Sequence, residues 1–316
     1  MMNEYTQMLV MDTASPHQAN HAPKVSVTVV TYNHGTWLAD CLDSILNQKT
    51  DFSFEVIVGD DASTDGLTKE ILADYAKRYP EVIKAIFRET NLGPTANYLD
   101  VVSRVVGEYV AHIDGDDLML PEKLQKQADY LDAHCDVVML GHQADCIDKN
   151  GKVVGKFQKS HQPQKFDINT LLKRHAVFPH SSIMYRSERR HQFKYEGIER
   201  LDIYTYLLIA SGGRIGYLRE SLGLYRRHVG IATKGFPATL QGDVIKLAVA
   251  LGLSQSAVRT YEAKLQLAHA YASWKGGDIS SYGRATRNSL RLKIYSVEQF
   301  KFIVHYCLVC LIPRQR

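Results

Sequence analysis

"GEYVAHIDGDDLMLPEKL", residues 107–124, runs from an apolar stretch into three aspartates within four positions, Asp114, Asp116 and Asp117. Tyr109 to Ile113 reads as a strand. Pro121 is suited to open a helix, which the pattern predicts over 121–134. Like charges this close repel, and burying them unpaired is costly, so a cation should compensate. Side chains at i and i+2 of extended backbone point the same way, and Gly115 lets the chain bend between Asp114 and Asp116. A metal clamp, a phosphate-accepting aspartate and a plain acidic turn all remain open on this stretch alone.

The preceding sequence narrows the choice. "VSVTVVT" (25–31) is β-branched and continuous, as a buried strand is. Residues 36–48 carry Trp37, Leu38, Cys41, Leu42, Ile45 and Leu46 at the spacing of a helix with one buried face. A strand is expected at 54–59, a helix at 65–79 with Asp65 as N-cap, and a strand at 82–87. A turn at "NLGP" follows, with Pro94 in the next helix, and the fourth strand is 107–113. Such alternation predicts βαβ units in a mostly parallel sheet with ligands beyond the carboxyl ends of its strands. The polar residues there are Thr31, Tyr32 and Asn33; Asp60 and Asp61; Arg88 and Asn91; and the acidic cluster. A D-x-D pair suits Mg²⁺ or Mn²⁺, which take one or two carboxylates together with waters and substrate phosphates. An EF-hand is excluded because Leu118 and Met119 occupy its fifth and sixth places. A phosphate-receiver domain would leave two thirds of the chain unexplained. No G-x-G-x-x-G opens the first helix and no Walker lysine appears, so dinucleotide and P-loop readings fail.

From 136 onward the pattern changes. Two apolar runs flank "DKNG" (148–151), a hairpin signal. Beyond them are a helix near 167–175, a strand near 181–186, a helix at 200–211 and short strands at 214–218 and 222–227. Residues 238–312 read as helical, with breaks at Gly276–Gly277 and near Ser296.

The runs "VSVTVVTYNHGTWLADCLDSILNQ", "EVIVGDDASTDG", "NLGPTANY" and "GEYVAHIDGDD" resemble the successive motifs of family 2 glycosyltransferases. The resemblance covers about residues 24–230 and implies an α/β GT-A nucleotide-diphospho-sugar transferase fold with a helical C-terminal extension. It implies a catalytic domain over 24–235, with a nucleotide-binding half at 24–118 and an acceptor half at 119–235. Residues 1–23 would be a mobile leader and 236–316 the extension. The implied activity is inverting transfer of a sugar from a nucleotide-sugar, UDP- or dTDP-linked, with Mn²⁺ or Mg²⁺. The acceptor would be a hydroxyl of a glycan or lipid-linked molecule in surface-polysaccharide synthesis. Carried over by position, Thr31 and Asp61 line the base pocket with Tyr32 beside them, and Asp60 and Arg88 belong to the nucleotide pocket. Asp114 faces the ribose, Asp116 ligates the metal and His180 lies on the acceptor side. "ERLDIYTYLLIASGGRIGYL…LGLYRRH" implies Asp202 as general base, with Glu199 the alternative because Leu201 stands where many members have Glu. His228 would ligate metal or phosphate. The alternative reading is a non-catalytic nucleotide-sugar-binding or scaffold protein of the same fold.

The bulk composition agrees with this. The chain has 316 residues, is 45% hydrophobic and has a net charge of +4, which is too weakly basic for nucleic-acid binding. Five cysteines make no disulfide framework, and Cys307 and Cys310 read as core or interface residues in an apolar helix. No signal-peptide core is legible near the N-terminus, so a cytoplasmic protein is expected. The apolar run from Phe302 to Ile312 is shorter than the ~20 residues that span a bilayer. With Lys301, Arg314 and Arg316 it suggests contact between 300–316 and the inner membrane face.

Overall fold

The structure, a computed structural model, describes residues 22–158, 163–174, 177–193, 202–227 and 238–294. The leader up to 21, Glu199, His228, the 300–316 tail and its two cysteines lie outside the described residues. The chain separates into two compact units, 1–167 with 176–236, and 168–175 with 237–316.

In the first unit, strand β1 (Val25–Thr31) leads through helix α1 (Leu38–Leu46) to β2 (Phe54–Asp60). Helix α2 (Leu67–Arg78) then leads to β3 (Ile83–Phe87), and α3 (Pro94–Ser103) to β4 (Tyr109–Asp114). These bounds match the apolar patterning closely because the helices bury one face each and the central strands are nearly continuous apolar runs. All seven residues of β2 are buried, as both faces of a parallel strand covered by helices must be. The N-cap of α2 is Gly66 rather than the expected Asp65, which stands one residue further back and accepts the Thr68 N–H at 3.0 Å and the Thr68 hydroxyl at 2.7 Å.

Beyond β4 come the two-residue β5 (Leu118–Met119), helix α4 (Lys123–Ala133) and the long β6 (Val137–Ile147). The predicted hairpin pairs β6 with β7 (Val153–Lys156), and Gly151 takes the left-handed conformation its turn needs (φ 82°). The short β8 (Lys165–Phe166) follows. The strand expected over 181–186 is shorter: residues 180–182 form a 3₁₀ turn, and only Met184–Arg186 is extended, as β9. Helix α6 (Asp202–Ala210) precedes β10 (Arg214–Arg226), a single strand where two were expected. It crosses the polar Arg219–Ser221 break by register shifts against β6 rather than by ending.

The sheet order is β3-β2-β1-β4-β9-β6-β10-β5, with β7 on β6 and β8 on β10. The β3-β2-β1-β4 half is parallel throughout. The chain moves outward from β1 to β3 and then returns to the other side of β1 for β4. That reversal makes a switch point between β1 and β4, where the loops leaving the two strands splay apart and open a crevice. Register aligns Val30 with Asp114 and Thr31 with Asp60, so the predicted polar positions share one edge of the sheet.

The second unit joins α5 (Ile168–Arg174) to the helices α7 (Ala238–Ala250), α8 (Gln255–Lys275) and α9 (Ile279–Leu292). The break near Gly276–Gly277 is present, and a further one at 251–254 was not legible. There Gly252 is left-handed (φ 70°), and the Ser254 hydroxyl caps α8 by accepting the Ala257 N–H. No helix among the described residues is long and apolar enough to cross a membrane.

Candidate functional site

The acidic loop after β4 divides its three aspartates by environment. Asp117 is buried and fully employed: its carboxylate accepts the Arg226 backbone N–H at 2.7 Å and the Ser181 hydroxyl. Burial raises its pKa well above the usual carboxylate range, and repulsion from Asp116 and Asp114 adds to this. Asp117 therefore fastens the loop to β10 and to the 180–182 turn. Asp116 is 7% exposed, and its carboxylate accepts no side-chain hydrogen bond from another described residue. Burial raises its pKa too; His34 opposes this and Asp114 adds to it. The Arg226 guanidinium, at the end of β10, is spent on carbonyls: Asp116 at 2.8 Å and Asp148 at 3.0 Å.

Asp114 is the contrasting case. Burial would raise its carboxyl, but the contact with His112, together with His180 and His34, outweighs this and brings it down to about 2. His112 has no exposed surface, and burial pulls its imidazole down to about 4, so it is neutral at pH 7. Its Nδ1 lies 3.0 Å from the Thr28 hydroxyl and its Nε2 3.4 Å from Asp114 Oδ1. A ring that accepts from Thr28 and donates to Asp114 satisfies both contacts. The His180 ring packs 4.2 Å from the His112 ring, and its Nδ1 lies 2.9 Å from the Tyr206 hydroxyl on α6.

At the end of β1, Thr31 is 2% exposed, and its hydroxyl is a buried polar atom without a partner among the described residues, as is Nδ1 of His34. A Cβ on Gly115 would stand 2.9 Å from that hydroxyl, so only glycine lets the acidic loop pass so close to β1. Tyr32 is 39% exposed at the crevice edge. Asn33 is left-handed (φ 56°), and its side-chain oxygen accepts the Thr64 N–H at 2.7 Å, tying the β1 loop to the β2 loop.

The other predicted nucleotide residues are strongly engaged. Asp60 has no exposed surface and accepts from the Ser63 N–H and hydroxyl. Asp61 accepts the backbone N–H groups of Leu92 at 2.7 Å and Gly93 at 3.0 Å, shaping the "NLGP" turn. Burial nevertheless raises its pKa. The Arg88 guanidinium bonds Asn97 at 3.0 Å and Asp100 at 2.7 Å, both on α3. Asp202 opens α6 on the exposed side of that helix. Surrounding protein still raises its carboxyl pKa, with His180 lowering and Asp114 raising it, which brings Asp202 within electrostatic reach of the β4 end.

Sequence reading did not single out Ser181, Lys123 or His112. Ser181 joins both ends of the acidic loop, through the Asp114 N–H at 3.0 Å and the Asp117 carboxylate. Lys123 has no exposed surface and donates to the Ser181 carbonyl at 2.9 Å; burial lowers its pKa to about 7. A lysine two residues after a proline carries no sign that its ammonium will be buried.

No group of three or more His, Cys, Asp or Glu side chains among the described residues forms a metal cage. The donor set instead fits a cation that brings its own oxygen ligands. Asp116 offers a carboxylate without a side-chain partner among the described residues, beside Asp114, and the charge crowding there is what a cation relieves.

Residues 26–193 match the family model described as Glycosyl transferase family 2. Rv1520 of Mycobacterium tuberculosis strain H37Rv, described as an uncharacterized protein, is 33% identical over 261 residues, covering 82% of this chain and 73% of its own. TuaG of Bacillus subtilis strain 168, named for a glycosyltransferase of teichuronic acid biosynthesis, is 30% identical over 210 residues, covering 66% of this chain and 80% of its own. Among solved structures, Staphylococcus aureus TarS 1–349 in complex with UDP-GlcNAc superposes with a TM-score of 0.64 at 20% identity, over 84% of this chain and 81% of that one. The mannosyltransferase PcManGT from Pyrobaculum calidifontis, in complex with GDP-Man and Mn²⁺, does so with a TM-score of 0.56 at 18% identity, over 98% of this chain and 86% of that one. At these identities the solved structures speak for the fold, and the fold is that of GT-A glycosyltransferases. The chain, matched over more than half its length by the family model, belongs to glycosyl transferase family 2 and is a glycosyltransferase.

Proposed function

We propose that the protein is an inverting, divalent-metal-dependent glycosyltransferase. It would move a sugar from a UDP- or dTDP-linked donor to a hydroxyl of a glycan or lipid-linked acceptor in cell-surface polysaccharide synthesis. The observation that carries this reading is the meeting of three features at the β1–β4 switch point. These are the Thr31 hydroxyl and the Asp116 carboxylate, neither with a side-chain partner among the described residues, and Asp202 within electrostatic reach of Asp114 and His180. The names of TuaG and of the TarS and PcManGT complexes support the polysaccharide context and the nucleotide-sugar donor.

In this reading Thr31, Tyr32 and Asp61 border the base and Asp114 the ribose, while Asp60 and Arg88 hold the pocket walls. Asp116 would hold Mn²⁺ or Mg²⁺ with the donor phosphates, and His228 is a further candidate ligand. When bound, the metal supplies positive charge that offsets the charge gathering on the diphosphate. Asp202, with Glu199 as alternative, takes the proton of the acceptor hydroxyl, and its raised pKa suits it to receive one. The acceptor oxygen bonds the anomeric carbon on the face opposite the diphosphate, whose bond to that carbon breaks with its electron pair. His180 would steady the acceptor side. Contact of the 300–316 segment with the inner membrane face would bring a lipid-linked acceptor near.

A thermal-shift panel of UDP-, dTDP- and GDP-sugars with and without Mn²⁺ tests the donor assignment. Stabilisation is expected from a uridine or thymidine donor with Mn²⁺ and is lost in Asp116→Ala. Asp202→Asn should keep donor binding and lose about 10²–10⁴-fold in turnover. Unchanged turnover would reject Asp202 as base, and nucleotide binding with no sugar release under any acceptor would favour the scaffold reading.

A further inference from the structure

Lys123 and Gln127 stand one turn apart on α4, both without exposed surface. Lys123 Nζ donates to the Ser181 carbonyl at 2.9 Å, and Gln127 Nε2 donates to the Ser182 carbonyl at 2.8 Å. Two successive carbonyls of the 180–182 turn are thus gripped from one helix face. The turn in its own right holds the acidic loop. The Ser181 hydroxyl accepts the Asp114 N–H at 3.0 Å, contacts Asp114 Oδ2 at 3.4 Å and donates to Asp117. Asp117 passes the tie on to the Arg226 N–H on β10.

Burying an ammonium group is expensive, and a methionine of similar volume would be no less stable for packing alone. Glu122, the residue just before Lys123 at the start of α4, is also left-handed (φ 63°). For a side chain with a Cβ that conformation costs stability, and it persists only where the surroundings hold it. The two costs fall on adjacent residues, the backbone strain on Glu122 and the burial on Lys123, where the chain enters α4 after the acidic loop.

We propose that Lys123 and Gln127 are positioning residues: a buried clamp that sets the backbone of the Asp114–Asp117 loop through Ser181 and so fixes where Asp116 meets the donor. The part concerning the donor rests on the functional reading above; the clamp does not.

Amide hydrogen exchange on the full chain, with Lys123→Met and Gln127→Leu, tests the clamp without any ligand. In each variant the Asp114 and Arg226 amides should exchange at least tenfold faster, while those of β1 and β2 keep their rates. The melting temperature of Lys123→Met should be unchanged or higher. Titration with Mn²⁺ and UDP should then show affinity reduced about tenfold or more in both variants. Unchanged exchange at Asp114 and Arg226, or equal acceleration across the whole sheet, overturns the clamp. If Lys123→Met does not fold, the exchange pattern of Gln127→Leu decides alone. If the unmodified protein binds no Mn²⁺–UDP, the donor assignment fails and the exchange data still judge the clamp.

Discussion

At the scale of single residues, three aspartates of one loop have three occupations because their neighbours differ. Asp117 is a fastener, Asp116 accepts no hydrogen bond from the side chain of another described residue, and Asp114 is held ionised by its contacts with histidine. His112 makes this state dependent on pH. Its folded pKa of about 4 lies below the ordinary 6.5, so between those values the unfolded chain binds more protons and stability rises with pH. Asp114, at about 2 against an ordinary 3.8, acts in the same direction in the window below. Acidification from pH 6.5 to 4 should therefore cost stability on the order of 2–3 kcal/mol through His112. Urea denaturation at stepped pH should show this slope in the native protein and a flatter one in His112→Gln. Neither environment was legible in "AHIDGDD", since the partners Thr28 and Ser181 lie far away in sequence.

At the scale of elements, the strands and helices before residue 134, apart from the two-residue β5, were readable because each has a clear apolar pattern and a clear stop. Reading failed where tertiary partners override local signals. The polar Arg219–Ser221 stretch looks like a gap between strands, yet pairing with β6 carries the strand through it. Ser181 and Ser182 look like strand but are drawn into a turn by the carbonyl contacts with α4. Close packing also sets requirements that periodicity does not reveal. A Cβ on Gly59 of β2 would stand 2.5 Å from Asn97 Oδ1 and from Val101 Cγ2 of α3. Gly59→Ala should push α3 off the sheet and destabilise by about 1–3 kcal/mol. It should also disturb Asn97, which bonds both Arg88 and the Gly59 carbonyl. Thermal denaturation checks the first effect, and donor affinity checks the second.

At the scale of the whole molecule, the unit boundaries do not follow chain order. Helix α5 interrupts the first unit in sequence but belongs to the second. Ser254 N–H donates to Asn169 at 2.8 Å, and Lys264 donates to the Arg174 carbonyl at 2.9 Å. A chain ending at Phe236 keeps α5 without α8, which removes those two hydrogen bonds and uncovers apolar surface. Such a truncation should bind a hydrophobic dye and aggregate on gel filtration, whereas removing 168–175 together with the C-terminal unit should lessen both effects.

The sequence by itself determined the alternation of strands and helices, the parallel half of the sheet, the family motifs and the strand ends where polar residues gather. These are properties of local period and spelling, which a linear chain carries in full. Only the tertiary structure decided which of those polar groups are already spent. Hydrogen bonds join positions such as Asp61 to Gly93, Arg88 to Asp100 and Lys123 to Ser181, and the contacts that fill a carboxylate or a cation are made across the fold. How far other described residues engage the Asp116 and Thr31 side chains is likewise a statement about neighbours, and neighbours are chosen by packing.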